Sequence, residues 1–385
     1  MTSLDDFIPL SRPMFGPEEA SAVAQCLSSG WISAGPKVAE FELAFATLAG
    51  CKEAVATSSG TSALHLSLWS LDLSPGDEVI TPSLTWVSAP NVIRLLGLRP
   101  VFCDVNPATL CMDVEHLSTL ITARTRVILP VHFGGRAAEL DAINEIATRH
   151  GIIVIEDAAH AIGAWYNGYP IGSHSDLVTF SFHPNKNITT CEGGMITGRN
   201  LSLLSKARQR RYHGINRDSF KRHTSAGHAA YYDVLDPGLK YILTDPMAAI
   251  GLCQLDKLNW FNARRHEIAM TYCERLQDIP IGLPSPEHRE NSVHAWHLFP
   301  VTTPDINGLR DSIMTALAEK RVGTGLHYTP VHDMSWVHKA GLYRALPTTE
   351  RIGRTILSLP LYPGLTDNQL EAVCSRFKEI VTALI

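Results

Sequence analysis

Short, continuously apolar runs alternate with helix-length amphipathic stretches over the first two-thirds of the chain. The runs EAVATSS (53–59), EVITPS (78–83), PVFCDV (100–105), RVILPVH (126–132), IIVIED (152–157) and LVTFSF (177–182) predict strands. Apolar residues fill consecutive positions rather than alternate ones, as expected of strands covered on both faces. Between them, LHLSLWSL, VSAPNVIRLL and LDAINEIATRH repeat apolar residues at helical spacing. The pattern predicts an α/β fold with a mostly parallel central sheet covered by helices. From 244 to 278 the sequence reads as one or two long helices leading away from that sheet. A proline-rich break at 280–288 follows, then a strand around 293–301, a helix around 307–320 and a terminal helix around 367–383. These predict a smaller C-terminal α+β domain, so the expected division is a large domain, 1–255, and a small one, 256–385.

Composition narrows the possibilities. With 385 residues, 45% of them apolar and 18% charged, the chain can bury a large core and is not expected to be disordered. Its 33 Lys and Arg against 38 Asp and Glu leave a net charge of −5, with no basic excess for a nucleic-acid backbone. Any phosphate-bearing ligand must therefore be held by a local site. No apolar stretch approaches the roughly 20 residues that span a bilayer, and the acidic start is unlike a signal peptide. A cytosolic location is expected, without membrane or nucleic-acid partners. The eight cysteines are scattered and form no C-x-x-C, which speaks against a disulfide scaffold or a cysteine-rich metal site.

In an open parallel sheet, ligands collect beyond the carboxyl ends of the strands. The residues just past the predicted strands are Ser58, Ser59, Gly60, Thr61 and Ser62; Thr85 and Trp86; His132; Glu156, Asp157 and His160; and Ser181, His183 and Lys186. Hydroxyls, carboxylates, imidazoles, an indole and a lysine at one sheet edge predict a site for a planar, phosphorylated, nitrogen-containing cofactor. Each residue also has a plainer role open to it. SSGTSALHL can hold a phosphate on the free N–H groups and hydroxyls of a helix start, or simply cap that helix. It matches neither a P-loop nor a dinucleotide fingerprint. Asp157 closes an apolar strand, where it can face a protonated ring nitrogen or cap the next helix. Trp86 and His160 can flank a ring, or serve as a core residue and a structural hydrogen-bonder. Lys186 lies between a turn at Pro184 and Asn185 and a return through Gly193 and Gly194, which holds it near the sheet edge. Partial burial there would lower its pKa and make its amine a nucleophile and base, whereas a solvated lysine would do neither.

The motifs SGTSALHL, DEVITPSLTWVS, PVHFGG, VIEDAAHAIGA and SFHPNKNITTCEGG together resemble the DegT/StrS-type pyridoxal phosphate-dependent sugar aminotransferases, of fold-type I. The likeness runs from SRPMFGPEE through SGWISAGPK and HAWHLF to GTGLHYTPVH and the final helix. Within the family it is nearest to the branch that makes UDP-4-amino-4-deoxy-L-arabinose with glutamate and 2-oxoglutarate, in lipid A modification. The resemblance implies that Lys186 carries pyridoxal 5′-phosphate, Asp157 pairs with its ring nitrogen, and Trp86 and His160 flank the ring. Thr61, Ser62 and Ser181 would hold the phosphate. It further implies L-glutamate as amino donor, a nucleotide keto-sugar such as a UDP-4-keto-pyranose as acceptor, and a homodimer with shared active sites. Another keto-sugar or a cyclitol on the same machinery, or a catalytically silent homologue, are the alternatives.

Relatives reach the neighbour's cofactor phosphate with a polar string before the long helix. Here that string is GLKYILTD, so Lys240 stands in the place of the phosphate-binding residue and Ile242 replaces a usually polar one. His327, in GLHYTPVH, is expected to contact sugar or cofactor, and His332 less so. His294 and His297 would point to opposite faces of a strand, which predicts no shared metal. The run KARQRRYHG (206–214) predicts a solvated helix face that could attract a nucleotide diphosphate.

Overall fold

A computed structural model of the protein describes residues 7–215, 232–286 and 289–385. Helices α1 (Pro17–Ser29) and α2 (Pro36–Leu48) come first, each starting at a proline whose missing N–H costs nothing in a first turn. Then β1 (Val55–Thr57), α3 (Gly60–Trp69), β2 (Glu78–Pro82), α4 (Ser88–Leu95), β3 (Arg99–Cys103), α5 (Val114–Leu120), β4 (Thr125–Ile128), α6 (Leu140–His150) and β5 (Ile153–Asp157) alternate. A hairpin of β6 (Trp165–Tyr166) and β7 (Tyr169–Pro170) precedes β8 (Leu177–Ser181), β9 (Gly194–Thr197) and α7 (Leu201–Arg210). The chain continues through α8 (Asp245–Leu276), β10 (Phe299–Thr302), α9 (Leu309–Glu319), α10 (Ser335–Lys339), α11 (Pro347–Thr355), β11 (Ile356–Leu359) and α12 (Asp367–Leu384).

The central sheet has the order β1-β9-β8-β5-β4-β2-β3. All of the strands expected from the apolar runs are present, and those from β8 to β3 pair in parallel. The apolar runs do not mark β9, which pairs antiparallel with both β1 and β8. Four residues are too few for a periodic signal, and its first, Gly194, is there because a Cβ would collide with the Ser59 carbonyl.

The strand expected around 293–301 is confined to Phe299–Thr302, paired antiparallel with β11. Upstream, the backbone is claimed by the loop after β4: Ala295 N–H donates to the Gly135 carbonyl at 2.9 Å and Leu298 N–H to Gly134 at 3.1 Å. Trp296 turns to φ 47° and stacks on His294 with ring centroids 4.0 Å apart. The 244–278 region is a single helix, α8, unbroken at position 255. Its first half packs Leu258 and Phe261 beneath the sheet, while Ile268, Tyr272 and Leu276 join a second cluster with β10, β11 and α12. Among the described residues, no helix is long and apolar enough to cross a membrane.

The arginines of the basic run at the end of α7 are engaged with acidic partners and are not free to attract phosphate. Arg208 donates to Glu42 at 2.7 Å and to the Ala54 carbonyl at 2.9 Å; Arg211 pairs with Glu42 and donates to the Ala56 carbonyl at 2.7 Å. Burial pushes the Glu42 carboxyl up, but the Arg211 and Arg208 guanidiniums outweigh it and hold the group below its ordinary value. Arg210 is held by Asp72 and Asp236, and Lys206 by Asp72. Periodicity identifies the helix but not these acidic partners, which come from distant segments.

Asp245, 1% exposed at the start of α8, caps α2 across the fold. Its carboxylate accepts the N–H groups of Gly35 at 2.7 Å, Val38 at 3.1 Å and Lys37 at 3.1 Å, taking the place of the missing N-cap side chain. Asp245→Ala is expected to cost about 2 kcal/mol, because it strands buried N–H groups. The check is a lowered urea midpoint; an unchanged midpoint would show that this cap contributes nothing.

Candidate active site

The carboxyl edge of the sheet surrounds a cavity of about 350 Å³. Asp157 ends β5 and is 8% exposed. Its backbone is fixed on both sides: its N–H donates to the Pro130 carbonyl at 2.8 Å, and its own carbonyl accepts the His132 N–H at 3.1 Å. One carboxylate oxygen accepts the Ala159 N–H at 3.0 Å, and among the described residues the other has no hydrogen-bonding partner. Burial pushes this carboxyl up, with Ala159 and the Lys186 charge pulling it back.

Lys186 follows β8 through a turn in which its N–H donates to the His183 carbonyl at 2.9 Å. The loop then folds back, with Thr189 Oγ1 donating to the Phe182 carbonyl at 2.8 Å. The lysine is thus held at the cavity wall. Burial lowers its amine to about 8, although the Asp157 charge opposes the shift. No hydrogen bond or ion pair to this amine exists among the described residues.

The β1–α3 turn closes one end. Ser59 and Ser62 cap α3 reciprocally: Ser62 N–H donates to Ser59 Oγ at 3.0 Å, and Ser59 N–H donates to Ser62 Oγ at 2.9 Å. The Ser62 hydroxyl also donates to the Ser59 carbonyl at 2.8 Å, so it is committed to the cap and does not line the cavity. Thr61 and Ser181 do line it, and Thr61 shares a hydrogen bond of 2.9 Å with Ser88. Gly60 leaves room for Ser181, whose Cβ would lie 2.8 Å from a Cβ placed there.

Trp86 stands at the rim, 61% exposed, its ring centroid 6.0 Å from that of Tyr328. His160 is buried, 3.0 Å from the Tyr328 hydroxyl. His327 lines the cavity with its Nδ1 2.9 Å from Ser358 Oγ, and burial lowers it to about 4, with the Lys186 charge adding to the effect. His332 lies outside, its Nδ1 2.6 Å from Ser83 Oγ. His294 and His297 are buried and do not line the cavity. Lys240 is exposed, bridged to Tyr212, and also lies outside the cavity of its own chain.

Tyr328, Ser88 and Glu192 also line the cavity, and sequence reasoning singled out none of them. Tyr328 directly follows His327, but a lone aromatic has no motif of its own. Ser88 was hidden in an amphipathic helix, and Glu192 in a loop whose lysine and glycines carried the signal. Among the described residues, no group of three His, Cys, Asp or Glu side chains is placed to hold a metal.

These residues fit pyridoxal phosphate. A buried carboxylate lacks a partner for one oxygen, a depressed lysine amine faces the same space, and a helix start with hydroxyls offers a place for phosphate.

The DegT/DnrJ/EryC1/StrS aminotransferase family model matches residues 13–378. Aminotransferase TlmJ from Streptoalloteichus hindustanus is 32% identical with a TM-score of 0.92, over 98% of this chain and 100% of that one. Spr1654 from Streptococcus pneumoniae, in its PLP form, is 29% identical with a TM-score of 0.91, over 98% of this chain and 100% of that one. PseC from Helicobacter pylori, an aminotransferase involved in the biosynthesis of pseudoaminic acid, is 25% identical with a TM-score of 0.90, over 98% of this chain and 100% of that one. With a family match over nearly its whole length and a carboxyl-edge cavity suited to the cofactor, the chain belongs to the DegT/DnrJ/EryC1/StrS family and is a pyridoxal phosphate-dependent sugar aminotransferase.

Proposed function

We propose that this enzyme moves an amino group from L-glutamate to the C4 keto carbon of a UDP-activated pyranose. The products are an amino sugar of the UDP-4-amino-4-deoxy-L-arabinose type and 2-oxoglutarate. The observation that carries the site assignment is the pair of opposite charges, Lys186 and Asp157, facing one cavity; among the described residues, the amine and one carboxylate oxygen have no hydrogen-bonding partner. The sugar assignment is supported by the motif likeness and by relatives that act in amino-sugar synthesis.

When bound here, pyridoxal phosphate supplies the electron sink and carries the amino group between the two half-reactions. The chain's own residues do the rest. Asp157 would keep a ring nitrogen charged, and the hydroxyls of Thr61 and Ser181 with the start of α3 would hold phosphate. Ser62, whose hydroxyl is engaged in the cap, would support the phosphate-holding turn from behind. With an amine near 8, Lys186 is partly neutral at cellular pH and can take a proton from the substrate carbon and return it. Trp86 and His160 would bound the ring from the rim and the floor, and His327 would reach the sugar.

Lys240 would complete the phosphate site of a neighbouring subunit. It is exposed in a segment that also exposes Val234, Leu235 and Leu239, an apolar surface suited to a second copy. Ile242, beside it, would tune substrate choice. We place the limit between a cofactor-holding domain and a smaller one within α8, near residue 255, and the enzyme in the cytosol.

With glutamate and a UDP-4-keto-pyranose, 2-oxoglutarate is expected to form in step with the amino sugar; 3-keto isomers should react poorly. Equal rates with both would remove the C4 assignment, and no turnover with any nucleotide sugar would remove the acceptor class.

Labelling of Lys186 by pyridoxal phosphate, trapped by borohydride and mapped by peptide, should rise through a midpoint near the amine's pKa of about 8. Asp157→Asn removes a charge that raises that pKa, so its midpoint should move to lower pH and its turnover fall by orders of magnitude. A midpoint near that of a solvated lysine would contradict the site.

Lys186→Ala and Lys240→Ala should each be inactive alone and recover activity when their subunits are mixed, since one site in each mixed dimer is then intact. A fully active Lys240→Ala, or a stable active monomer, would refute the shared site.

A further inference from the structure

The floor of the cavity contains a hydrogen-bond chain that amino transfer by Lys186 and Asp157 leaves unexplained. Gly134, left-handed at φ 64°, aims its N–H at His160 Nδ1, 3.3 Å away. His160 Nε2 lies 3.0 Å from the Tyr328 hydroxyl. A neutral imidazole has one N–H and one lone pair, and a backbone N–H can only donate. Nδ1 must therefore be the lone-pair nitrogen, Nε2 carries the proton, and Nε2 donates to Tyr328 Oη. A phenol has a single proton. With its oxygen accepting from His160, that proton points away from His160, and Tyr328 lines the cavity.

Neither ring can easily leave this arrangement. His160 is 5% exposed, lies 4.4 Å from the His297 ring and packs edge-on to Phe133. Burial, followed by the charges of Lys186, His327 and His132, holds it well below the usual imidazole range, so it stays neutral. Burial and then the Asp157 charge push the Tyr328 phenol up, so it keeps its proton. The adjacent Gly135, at φ 103°, has no room for a Cβ against Trp296 and His297 backbone nitrogens 2.8 and 2.9 Å away. This packing holds the Gly134 N–H in place.

We propose that His160 is a positioning residue that holds Tyr328 as a one-way hydrogen-bond donor into the cavity, toward an acceptor oxygen of the bound cofactor or of the sugar. This rests on reading the cavity as the amination site, whereas the hydrogen-bond chain itself does not. The first test therefore uses the cofactor-free protein. Heteronuclear NMR of imidazole nitrogens, with His160 assigned by its loss in His160→Gln, should show Nε2 protonated and Nδ1 bare across the neutral range. A protonated Nδ1 would overturn the proposal. The expected tautomer in a protein that aminates no sugar would leave the chain standing and the functional reading refuted.

Tyr328→Phe keeps the ring and removes the donor. If the acceptor belongs to the cofactor, affinity for pyridoxal phosphate alone should fall about tenfold; if it belongs to the sugar, that affinity should hold while KM for the UDP-4-keto-pyranose rises about tenfold. No change in either would refute the donor role. His160→Phe keeps a stacking ring without the N–H and should reproduce the Tyr328→Phe defect, while His160→Gln, which keeps an N–H donor, should restore most of it. A normal His160→Phe enzyme would show that His160 only packs.

Discussion

Two opposite charges withdrawn from water at one sheet edge, with no ion pair to either among the described residues, are the constraint around which this structure is arranged. Burial drives Lys186 and Asp157 each toward neutrality, and their mutual attraction resists it. Such a pair persists only if the backbone beneath it cannot relax. On the Asp157 side, the β4–β5 edge supplies this: backbone bonds to Pro130 and His132 pin the residue. The preceding Glu156 points to the opposite sheet face, where the buried His132 ring lies 2.8 Å from its carboxylate. On the Lys186 side, the loop leaves β8 and returns as β9, so both of its ends belong to the sheet.

The return strand has consequences beyond the lysine. Because β9 runs antiparallel between β1 and β8, the β1–α3 turn lies directly against the lysine loop, bringing Thr61 and Ser181 to one cavity. Contact this close admits no side chain at Gly60 or Gly194. The end of the sheet at β1 is then held from outside by Arg208 and Arg211, which tie α7 to Glu42 on α2 and to β1 and its approach. A basic run that looks like an anion-binding face is thus an internal strut.

The opposite wall comes from the far end of the chain. His327 and Tyr328 follow α9 by several residues, yet they sit over the sheet edge because Ser83 and His332 join the loop after β2 to the segment beyond Tyr328. His327 is anchored in turn to Ser358 of β11. The cavity is therefore bounded by residues of three separate apolar clusters, with Phe180 from one, Tyr328 from a second, and Leu64 and Val131 from a third. Helix α8 ties the first of these to the cluster it forms with β10, β11 and α12.

The α/β pattern, most strands of the sheet, the long helix and the position of Asp157, His160, Ser181 and Lys186 at the ligand-gathering edge were legible from local chemistry, whereas the roles of those four residues were implied only by the family resemblance. Continuous apolar runs mark buried strands, and polar residues at their ends mark the edge where ligands gather. What local pattern cannot carry is the choice among partners. Ser59 and Ser62 could equally have faced a ligand or each other, and only the folded turn joined them in the cap while leaving Ser59, but not Ser62, on the cavity wall. Tertiary structure also set the place of β9, ended the strand beginning at 293 in favour of bonds to Gly134 and Gly135, and spent the arginines of α7 on distant acids. It placed Tyr328 against His160, 168 positions apart, with a glycine N–H fixing the direction of the proton. Propensity and periodicity act over a few residues, whereas hydrogen-bond direction and burial are fixed only when remote segments close on one another.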